Sequence, residues 1–539
     1  MSLSRRKFVA AGSAVLGGFP FLLRARERRP NIVLILADDM GFSDLGCYGS
    51  EIATPNIDGL GREGLRFTQF YNNARCCPSR ASLLTGLYPH QTGIGHMTAD
   101  YQRPGYRGEL NRQCVTIAEA LRPADYHTLM VGKWHVTTTR PGHSYDWPTR
   151  RGFDHFYGTI SGAGSYYEPA SLMLDETPLT PPSDFYYTDS LGDHAAAFIG
   201  EYAQQPKPFF LYAAFTAPHW PLHAPAADVA RHQDRYRGGW DQLRQERHAR
   251  QIAQGLVRKT WPLTPRDEQV PEWRNAPNHD WESRRMEIYA AQVDRLDVNV
   301  GKILSALRRS GIEENTLVFF LSDNGGCAEV LQPGGLSFVP RTTHDGRPMH
   351  PGNDPAVMPG PIDTYQSYGI GWANASNTPF RLYKHWVHEG GIATPLLMRW
   401  PARIKRSGST THQVGHITDI MATCLDAAGA AYPEGGAAKI IPLEGRSLLP
   451  ILDGRTRDQR DICWEHEGNR AIRHQKWKLV SRFPDRWELY DLDADRTEMH
   501  DLSATHPKMV ENFTRQWSAW AGRVGVVPWK ELEPIRKDD

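Results

Sequence analysis

Four short apolar runs constrain the fold of this chain more than any other feature. They begin at Asn31 (NIVLIL), His127 (HTLMVG), Pro208 (PFFLYAAF) and Thr316 (TLVFFL), and helical patterns such as TIAEALRPADY lie between them. Strands buried on both faces of a parallel sheet have this β-branched and aromatic composition, because neither face meets water. The sequence therefore predicts a large α/β domain with a mostly parallel sheet flanked by helices.

Polar residues follow each of the four runs. Because the carboxyl ends of parallel strands share one edge of a sheet, and ligands bind at that edge, these residues predict a single site. Carboxylate and amide oxygens at that edge suit calcium or magnesium rather than zinc. The residues are Asp38 and Asp39, Lys133 and His135, Thr216 to His219, and Asp323 and Asn324.

Composition narrows the class of protein. The chain has 539 residues, 40% of them hydrophobic, and a formal net charge of +1. This near-neutral balance gives no support to nucleic-acid or polybasic membrane binding. Seven cysteines in a chain of this length are too few for a disulfide scaffold, and their spacing is not that of a zinc site. An ordinary globular protein with a large core is expected.

The N-terminal segment, residues 1–28, differs from the rest. It has a basic start, a short Gly/Ala-rich apolar stretch and a second basic cluster, and the run Ser4-Arg5-Arg6-Lys7-Phe8 resembles a twin-arginine export signal. A disordered basic tail is the alternative. The signal predicts export to the bacterial periplasm or the medium by the twin-arginine machinery, which moves folded proteins.

Three further segments complete the predicted organisation. The charged stretch 227–266 has helical spacing and is expected to lie outside the core, with its charges in solvent. The Gly/Pro/Asn/Ser-rich segment 325–380 is predicted to form a pocket wall, with help from residues 95–112 and the 160s to 180s. The catalytic domain would span 29–450, and 451–539 would form a small antiparallel sheet with a covering helix.

Two adjacent cysteines precede a predicted helix. Pro78 favours the first helical position and Gly86 favours the stop, so Cys76 and Cys77 would lie at a helix N-terminus. The free N–H groups there, together with Arg80, lower the pKa of a thiol. The alternative is that both are small core residues, since free cysteine is among the most buried residue types.

The run Cys76-Cys77-Pro78-Ser79-Arg80, followed by Leu-Leu-Thr-Gly, resembles the signature of the type I sulfatases of the alkaline phosphatase superfamily. The resemblance extends from PNIVLILADDMGFSDLGCYG to ELYDLDADRTEMHDL. It implies an alkaline phosphatase-like fold and oxidation of Cys76 to formylglycine (3-oxoalanine) by a formylglycine-generating enzyme. Cys77 would be the variable position of the motif.

The resemblance also implies a role for each residue of the predicted site. Asp38, Asp39, Asp323, Asn324 and the modified residue 76 would hold one calcium ion, with magnesium as the less expected ion. Lys133 and Lys384 would bind the sulfate, and Arg80 would hold the hydroxyls of residue 76. His135 would be the base that eliminates sulfate, and His219 would bind the ester and protonate the departing oxygen.

The predicted function is hydrolysis of an aryl or carbohydrate sulfate monoester through a formylglycine-hydrate nucleophile and a sulfated enzyme intermediate. A phosphonate monoester or phosphodiester hydrolase and an unmodified, non-catalytic sulfate-ester binder are the alternatives. Structural roles are expected for His90, Asp294 and Asp297. His223 and His385 flank the active motifs and would either support the site residues or be structural. Ala393 stands where many relatives of the type I sulfatases have arginine.

Overall fold

The computed structural model describes residues 29–138, 142–433 and 439–534, so the predicted export signal at 1–28 lies outside the described residues. No helix in these ranges is long and apolar enough to span a membrane. The strands are β1 (Asn31–Ala37), β2 (Leu65–Tyr71), β3 (His127–Lys133), β4 (His155–Thr159), β5 (Leu172–Leu174), β6 (Thr177–Pro178), β7 (Phe209–Ala214), β8 (Thr316–Ser322), β9 (His350–Pro351), β10 (Thr364–Tyr365), β11 (Ala393–Arg399), β12 (Ser409–Thr411), β13 (Gly415–His416), β14 (Ile462–His466), β15 (Asn469–His474), β16 (Trp477–Ser481) and β17 (Glu488–Asp491). The α-helices are α1 (Pro55–Glu63), α2 (Cys76–Thr85), α3 (Pro89–Thr92), α4 (Ile117–Leu121), α5 (Tyr187–Tyr202), α6 (Ala226–Ala230), α7 (Gly239–Ala253), α8 (His279–Arg309), α9 (Gly369–Ser376), α10 (Glu389–Ile392), α11 (Asp419–Ala428), α12 (Leu449–Leu452), α13 (Pro507–Val524) and α14 (Trp529–Leu532).

The four predicted runs form the centre of one large sheet. Its path is β12-β2-β11-β8-β1-β7-β3-β4-β5-β6, and β13 pairs with β2. Neighbours from β8 to β4 are parallel, whereas β11 is antiparallel to both β8 and β2. The prediction of a mostly parallel sheet flanked by helices is confirmed.

Burial on both faces explains why the central strands lack polar alternation. In β1, Val33 and Ile35 pack into one apolar core, and Ile32 and Leu34 pack into a second core on the other side of the sheet. All four side chains are fully buried. Helices cover both faces, as parallel sheets require.

The charged helix α7 corrects the expectation that the stretch 227–266 has a purely solvated face. Arg247 of α7 is fully buried and donates to Asp44 and Glu51 at 2.7 and 2.9 Å. A buried guanidinium needs such partners, because taking a charge out of water is costly. Helix α7 is therefore anchored to the loop that follows β1.

The C-terminal region has the predicted α+β form. Strands β14 to β17 make an antiparallel sheet, and Phe513 and Trp520 of α13 cover its apolar face. The sheet is joined to the main domain by buried polar contacts: the Trp464 indole N–H donates to the Asn72 carbonyl, and Lys478 pairs with Glu389. The small sheet thus packs directly on the segment that precedes α2.

Candidate active site

The ends of β1 and β8 bring the acidic residues together. The two strands are parallel and in register at Ala37 and Ser322, so the next residues, Asp38 and Asp323, emerge at the same level of the sheet. Asp39 and Asn324 follow them, and all four side chains are at most 1% exposed. The Asn324 amide donates to Asp39 Oδ1 at 2.6 Å. The predicted oxygen-rich set therefore lies in one place.

The adjacent strands β7 and β3 deliver the basic residues to the same edge. Lys133 is the last residue of β3, and its ammonium group lies 2.6 Å from Asp38 Oδ2. His219 follows β7, and its Nε2 lies 3.3 Å from Asp39 Oδ2. Lys384 arrives from a separate loop and donates to Asp39 at 2.9 Å, with its Nζ 3.3 Å from His219 Nε2.

The cysteine pair lies at the start of α2, which begins at Cys76 rather than at Pro78 as predicted. The helix ends as predicted at Gly86, which has a left-handed φ of 67°. All ten residues of α2 are buried, and Cys76 is 1% exposed. One turn along the helix, Arg80 donates to Asp323 and lies 3.3 Å from Asp38. The nucleophile candidate is thereby tied to the acidic set.

Hydrogen bonding and positive charge activate the Cys76 thiol. The Cys77 thiol donates to it, and this contact outweighs the effect of burial, so that together with Lys384 and Lys133 it lowers the pKa of Cys76 well below its usual range. Burial raises the pKa of Cys77 instead. The two neighbours therefore have opposite acid–base character.

The carboxylates respond differently to the same surroundings. Burial raises the pKa of Asp38, but Lys133 and Arg80 overcome it and lower that pKa below its usual range. Burial and the neighbouring Asp38 raise the pKa of Asp323 well above its usual range. Crowded carboxylates of this kind repel one another when all are ionised.

The acidic set fits a hard divalent cation. Asp38 Oδ1 and Asn324 Oδ1 are buried and have no hydrogen-bond partner among the described residues. Donor atoms of Asp38, Asp39 and His219 lie within 4.8 Å of one another. A cation here would satisfy the free oxygens and offset both the burial and the repulsion that raise the pKa of Asp323.

Two site residues have strained backbones. Asp39 and His135 have φ angles of 64° and 55°, in the left-handed region that non-glycine residues seldom adopt. The His135 ring packs against Gly162, where an added Cβ would lie only 2.5 Å from His135 Nε2. This close approach leaves no room for a side chain at position 162, and the His135 ring hydrogen-bonds to Cys76.

The two histidines are buried bases with lowered pKa values. Burial, reinforced by Lys133, lowers the pKa of His135 to about 4. Burial also lowers the pKa of His219, although Asp39 opposes the shift. His219 Nδ1 lies 2.6 Å from the Trp220 carbonyl oxygen, so Nδ1 donates there and Nε2 faces Lys384 and Asp39.

An open cavity of about 520 Å³ leads to Cys76. Its wall includes residues from the predicted pocket segments, among them Met97, Gly162, Phe338 and Tyr365. A larger cavity of about 820 Å³ lies elsewhere, around Arg258 and Arg473, and contains none of the predicted site residues.

Glu329 is a polar residue of this cavity that no sequence motif marks. Its carboxylate accepts from Arg75 Nη1 at 2.7 Å and from the Trp220 indole N–H at 2.8 Å. Although burial raises its pKa, Lys384 and Arg75 lower it below the usual range. The only signal was its position in the segment 325–380, directly after Asp323 and Asn324.

The remaining polar residues singled out in the sequence have partners away from the acidic set. His90 Nε2 lies 2.8 Å from Glu465 Oε2, and His223 Nε2 lies 2.7 Å from the Thr364 carbonyl. The Asp297 carboxylate accepts from the backbone N–H groups of Asn56 and Ile57, at the start of α1. Asp294 pairs with Arg231 and His232.

The His385 ring lies beside Glu467, with Nδ1 3.1 Å from Glu467 Oε2. Ala393, the residue that stands in place of an arginine, is the first residue of β11.

Comparison with known proteins agrees with the geometry. A family model described as Sulfatase matches residues 30–430, and one described as N-sulphoglucosamine sulphohydrolase, C-terminal, matches residues 380–517. An uncharacterized sulfatase of Schizosaccharomyces pombe is 33% identical across 85% of this chain and 87% of its own length. The arylsulfatase of Klebsiella aerogenes is 31% identical across 85% of this chain and 99% of its own.

Solved structures share the fold. The crystal structure of Ps i-CgsB has a TM-score of 0.67 and 25% identity, over 92% of this chain and 93% of that chain. A structure in complex with its substrate D-glucosamine-2-N,6-O-disulfate has a TM-score of 0.60 and 22% identity, over 92% of this chain and 98% of that chain.

Proposed function

The chain belongs to the sulfatase family and is a sulfuric ester hydrolase of the arylsulfatase type, and we propose that it cleaves a sulfate monoester through a formylglycine made from Cys76. One observation carries the proposal. The buried Cys76, at the start of α2, lies among three buried cations, Arg80, Lys133 and Lys384, which are at most 5% exposed.

Charge balance favours an anionic substrate. The three cations face three buried carboxylates, Asp38, Asp39 and Asp323. Asp38, Asp39, Asp323, Asn324 and residue 76 would hold one calcium ion, which would supply positive charge to offset charge on the transferring group. The site then carries a net positive charge that matches a sulfate ester.

The modified residue explains why the thiol is placed here. As a hydrated aldehyde, formylglycine supplies one hydroxyl that takes the sulfuryl group and a second that allows the sulfated residue to release sulfate. Arg80 is positioned to orient the substituents of residue 76, since it follows one turn later in the same helix. Lys133 and Lys384 are positioned to bind the sulfate oxygens.

The two histidines divide the proton transfers. His135 hydrogen-bonds to residue 76 and has a pKa of about 4, so it is neutral at pH 7 and can accept a proton there. His219 has its Nδ1 proton committed to the Trp220 carbonyl. A proton on Nε2 therefore makes the ring an imidazolium, which Asp39 at 3.3 Å stabilises and which can protonate the leaving oxygen.

The substrate is proposed to be a small aryl or carbohydrate sulfate. Trp220, Phe338 and Tyr365 line the cavity and offer aromatic faces to an aryl or sugar ring. Relatives include N-acetylgalactosamine-6-sulfatases of mammals, and Ps i-CgsB has been solved with k-i-k-neocarrahexaose. A panel of aryl sulfates and sulfated saccharides, ranked by kcat/KM, tests this assignment.

Two measurements test the mechanism against its alternatives. The tryptic peptide that ends at Arg80 should be lighter than the unmodified peptide by about 18 mass units, because the thiol has become an aldehyde. An unshifted peptide in active enzyme contradicts the proposal. A phosphonate monoester hydrolase of Agrobacterium radiobacter shares the fold, with a TM-score of 0.57, so faster cleavage of a phosphodiester than of a sulfate monoester would reverse the assignment.

Maturation and export are also proposed. A formylglycine-generating enzyme would modify Cys76 in the cytoplasm, and the twin-arginine machinery would then export the folded protein to the periplasm or the medium. Replacing Arg5 and Arg6 by lysine keeps the charge of residues 1–28 but removes the motif. We expect this variant to stay in the cytoplasm in a fractionation assay; unchanged export contradicts the proposal.

A further inference from the structure

Four polar side chains meet where the main domain contacts the C-terminal sheet, outside the proposed mechanism. They are His96, His385, His466 and Glu467, called the junction cluster below. Glu467 lies at its centre, with Oε1 2.5 Å from His96 Nε2 and Oε2 3.1 Å from His385 Nδ1. Ligand atoms of His96, His466 and Glu467 all lie within 4.8 Å of one another.

His466 is the unusual member of the junction cluster. It is fully buried, and neither of its ring nitrogens has a hydrogen-bond partner among the described residues. Its ring stacks on His96, with centroids 5.4 Å apart, and meets His385 edge-on at 5.6 Å. Burying an imidazole without a partner is costly, so at least one of its nitrogens is expected to bind a ligand.

The position of Glu467 is also costly. Glu467 and Gly468 connect β14 to β15, and their φ angles are 49° and 80°. Two-residue hairpin turns with two positive φ angles favour Asn, Asp and Gly, because larger side chains are strained there. His385 is strained as well, with a φ of 91°. Backbone strain of this kind is concentrated at functional sites, where the surrounding structure holds the residue in place.

We propose that the junction cluster binds a divalent transition-metal ion, zinc first, through His96, His466 and Glu467, with His385 as the fourth ligand. Imidazole nitrogens and one carboxylate are the ligands that zinc takes in tetrahedral sites. On metal binding, the hydrogen bonds from His96 and His385 to Glu467 would be replaced by bonds to the ion. A ring nitrogen of His466 would then also bind the ion.

A neighbouring group supports one of the ligands. The Tyr101 hydroxyl lies 3.1 Å from His96 Nδ1. Contacts of this kind to the second ring nitrogen orient metal-binding histidines. The ion would join three segments that are distant in the chain, and one of them carries Lys384 next to His385.

The test measures metal retention in the full-length, tag-free protein. The protein is loaded with one equivalent of Zn²⁺ in excess Ca²⁺, desalted and assayed by elemental mass spectrometry. His466→Leu replaces the imidazole by an apolar side chain of similar volume. Glu467→Gln keeps the shape of the glutamate side chain but removes its charge. His90→Asn is the matched control, because His90 is a buried partner of Glu465 at the same junction. All variants are also made on the Cys76→Ala background, which removes zinc bound by the catalytic thiol.

We expect about one zinc per chain in the parent and in His90→Asn, and less than a tenth of that in His466→Leu and Glu467→Gln. Co²⁺ in place of zinc should give visible absorption bands that both junction variants lack. A parent protein that retains no zinc overturns the proposal, and so does equal retention in folded His466→Leu and Glu467→Gln. Neither result depends on sulfatase turnover, so the proposed function is tested separately.

Discussion

The two adjacent cysteines should respond to the same substitution in opposite ways. Cys76→Ala keeps the β-carbon but removes the thiol whose oxidation would turn that carbon into the aldehyde. Loss of the nucleophile in covalent hydrolases lowers kcat by a factor on the order of 10⁶, and we expect a loss of that size. The fold should survive, since Cys76 is a small side chain at the edge of the core.

Cys77→Ala should leave kcat and KM nearly unchanged. Its sulfur is fully buried in the second apolar core, so the variant loses one packed atom and no catalytic group. The cost is about 1 kcal/mol of unfolding free energy, comparable to the removal of one buried methyl group. The hydrogen bond from Cys77 to the Cys76 thiol should have no catalytic consequence, because the proposed formylglycine lacks that thiol.

The assay combines steady-state kinetics on a chromogenic aryl sulfate with a melting curve and the mass of the peptide that contains residue 76. Cys77→Ala should fall in melting temperature by no more than about 4 °C. The reasoning is refuted if Cys77→Ala loses activity as completely as Cys76→Ala while still carrying the modification. It is also refuted if folded Cys76→Ala keeps a measurable fraction of parental kcat.

Three further predictions concern pH, stability and metal. The pKa of about 4 for His135 keeps this base neutral down to mildly acidic pH, so the acid limb of kcat, which includes sulfate elimination, should lie below about pH 5; an acid limb near pH 6.5 in the kcat profile contradicts this. Lys478→Met leaves Glu389 without one of its buried partners and should cost about 3–5 kcal/mol in denaturant unfolding. The half-exposed Lys476→Met should cost about 0–1 kcal/mol, and equal losses would disprove the contrast. Dialysis against EDTA should lower turnover and melting temperature together, and Ca²⁺ should restore both; full activity without metal would exclude the cation.

The sequence predicted the centre of the fold because the four central strands are buried on both faces. Their composition is therefore uniform and easily distinguished from helix. Strands β2 and β11 lie beyond the four predicted runs. β11 contains Pro395 and ends in Arg399, and β2 contains the partly exposed Arg66 and Gln69, so neither has the same continuous apolar pattern.

The candidate site was predictable where local motifs carry it, and not where distant segments meet. Asp38 and Asp323 could be placed together, because parallel strands end at one edge. The charges of the stretch 227–266, Arg247 among them, were expected to face solvent. The sequence of α7 gives no sign that Arg247 pairs with the distant Asp44. His466 and His96 are far apart in the chain, so their contact depends on how the C-terminal sheet docks.

The burial of α2 determines whether Cys76 can be oxidised before or after the chain folds. Cys76 is 1% exposed once α2 has packed, and its neighbours along the helix are equally inaccessible. An enzyme that oxidises this thiol must therefore reach it before the helix docks. If Cys76 is modified as proposed, molecules that fold first would keep their cysteine, and the active fraction of a preparation would depend on the relative rates of modification and folding. Slowing synthesis or supplying more of the modifying enzyme should raise specific activity, whereas treating the folded protein should not.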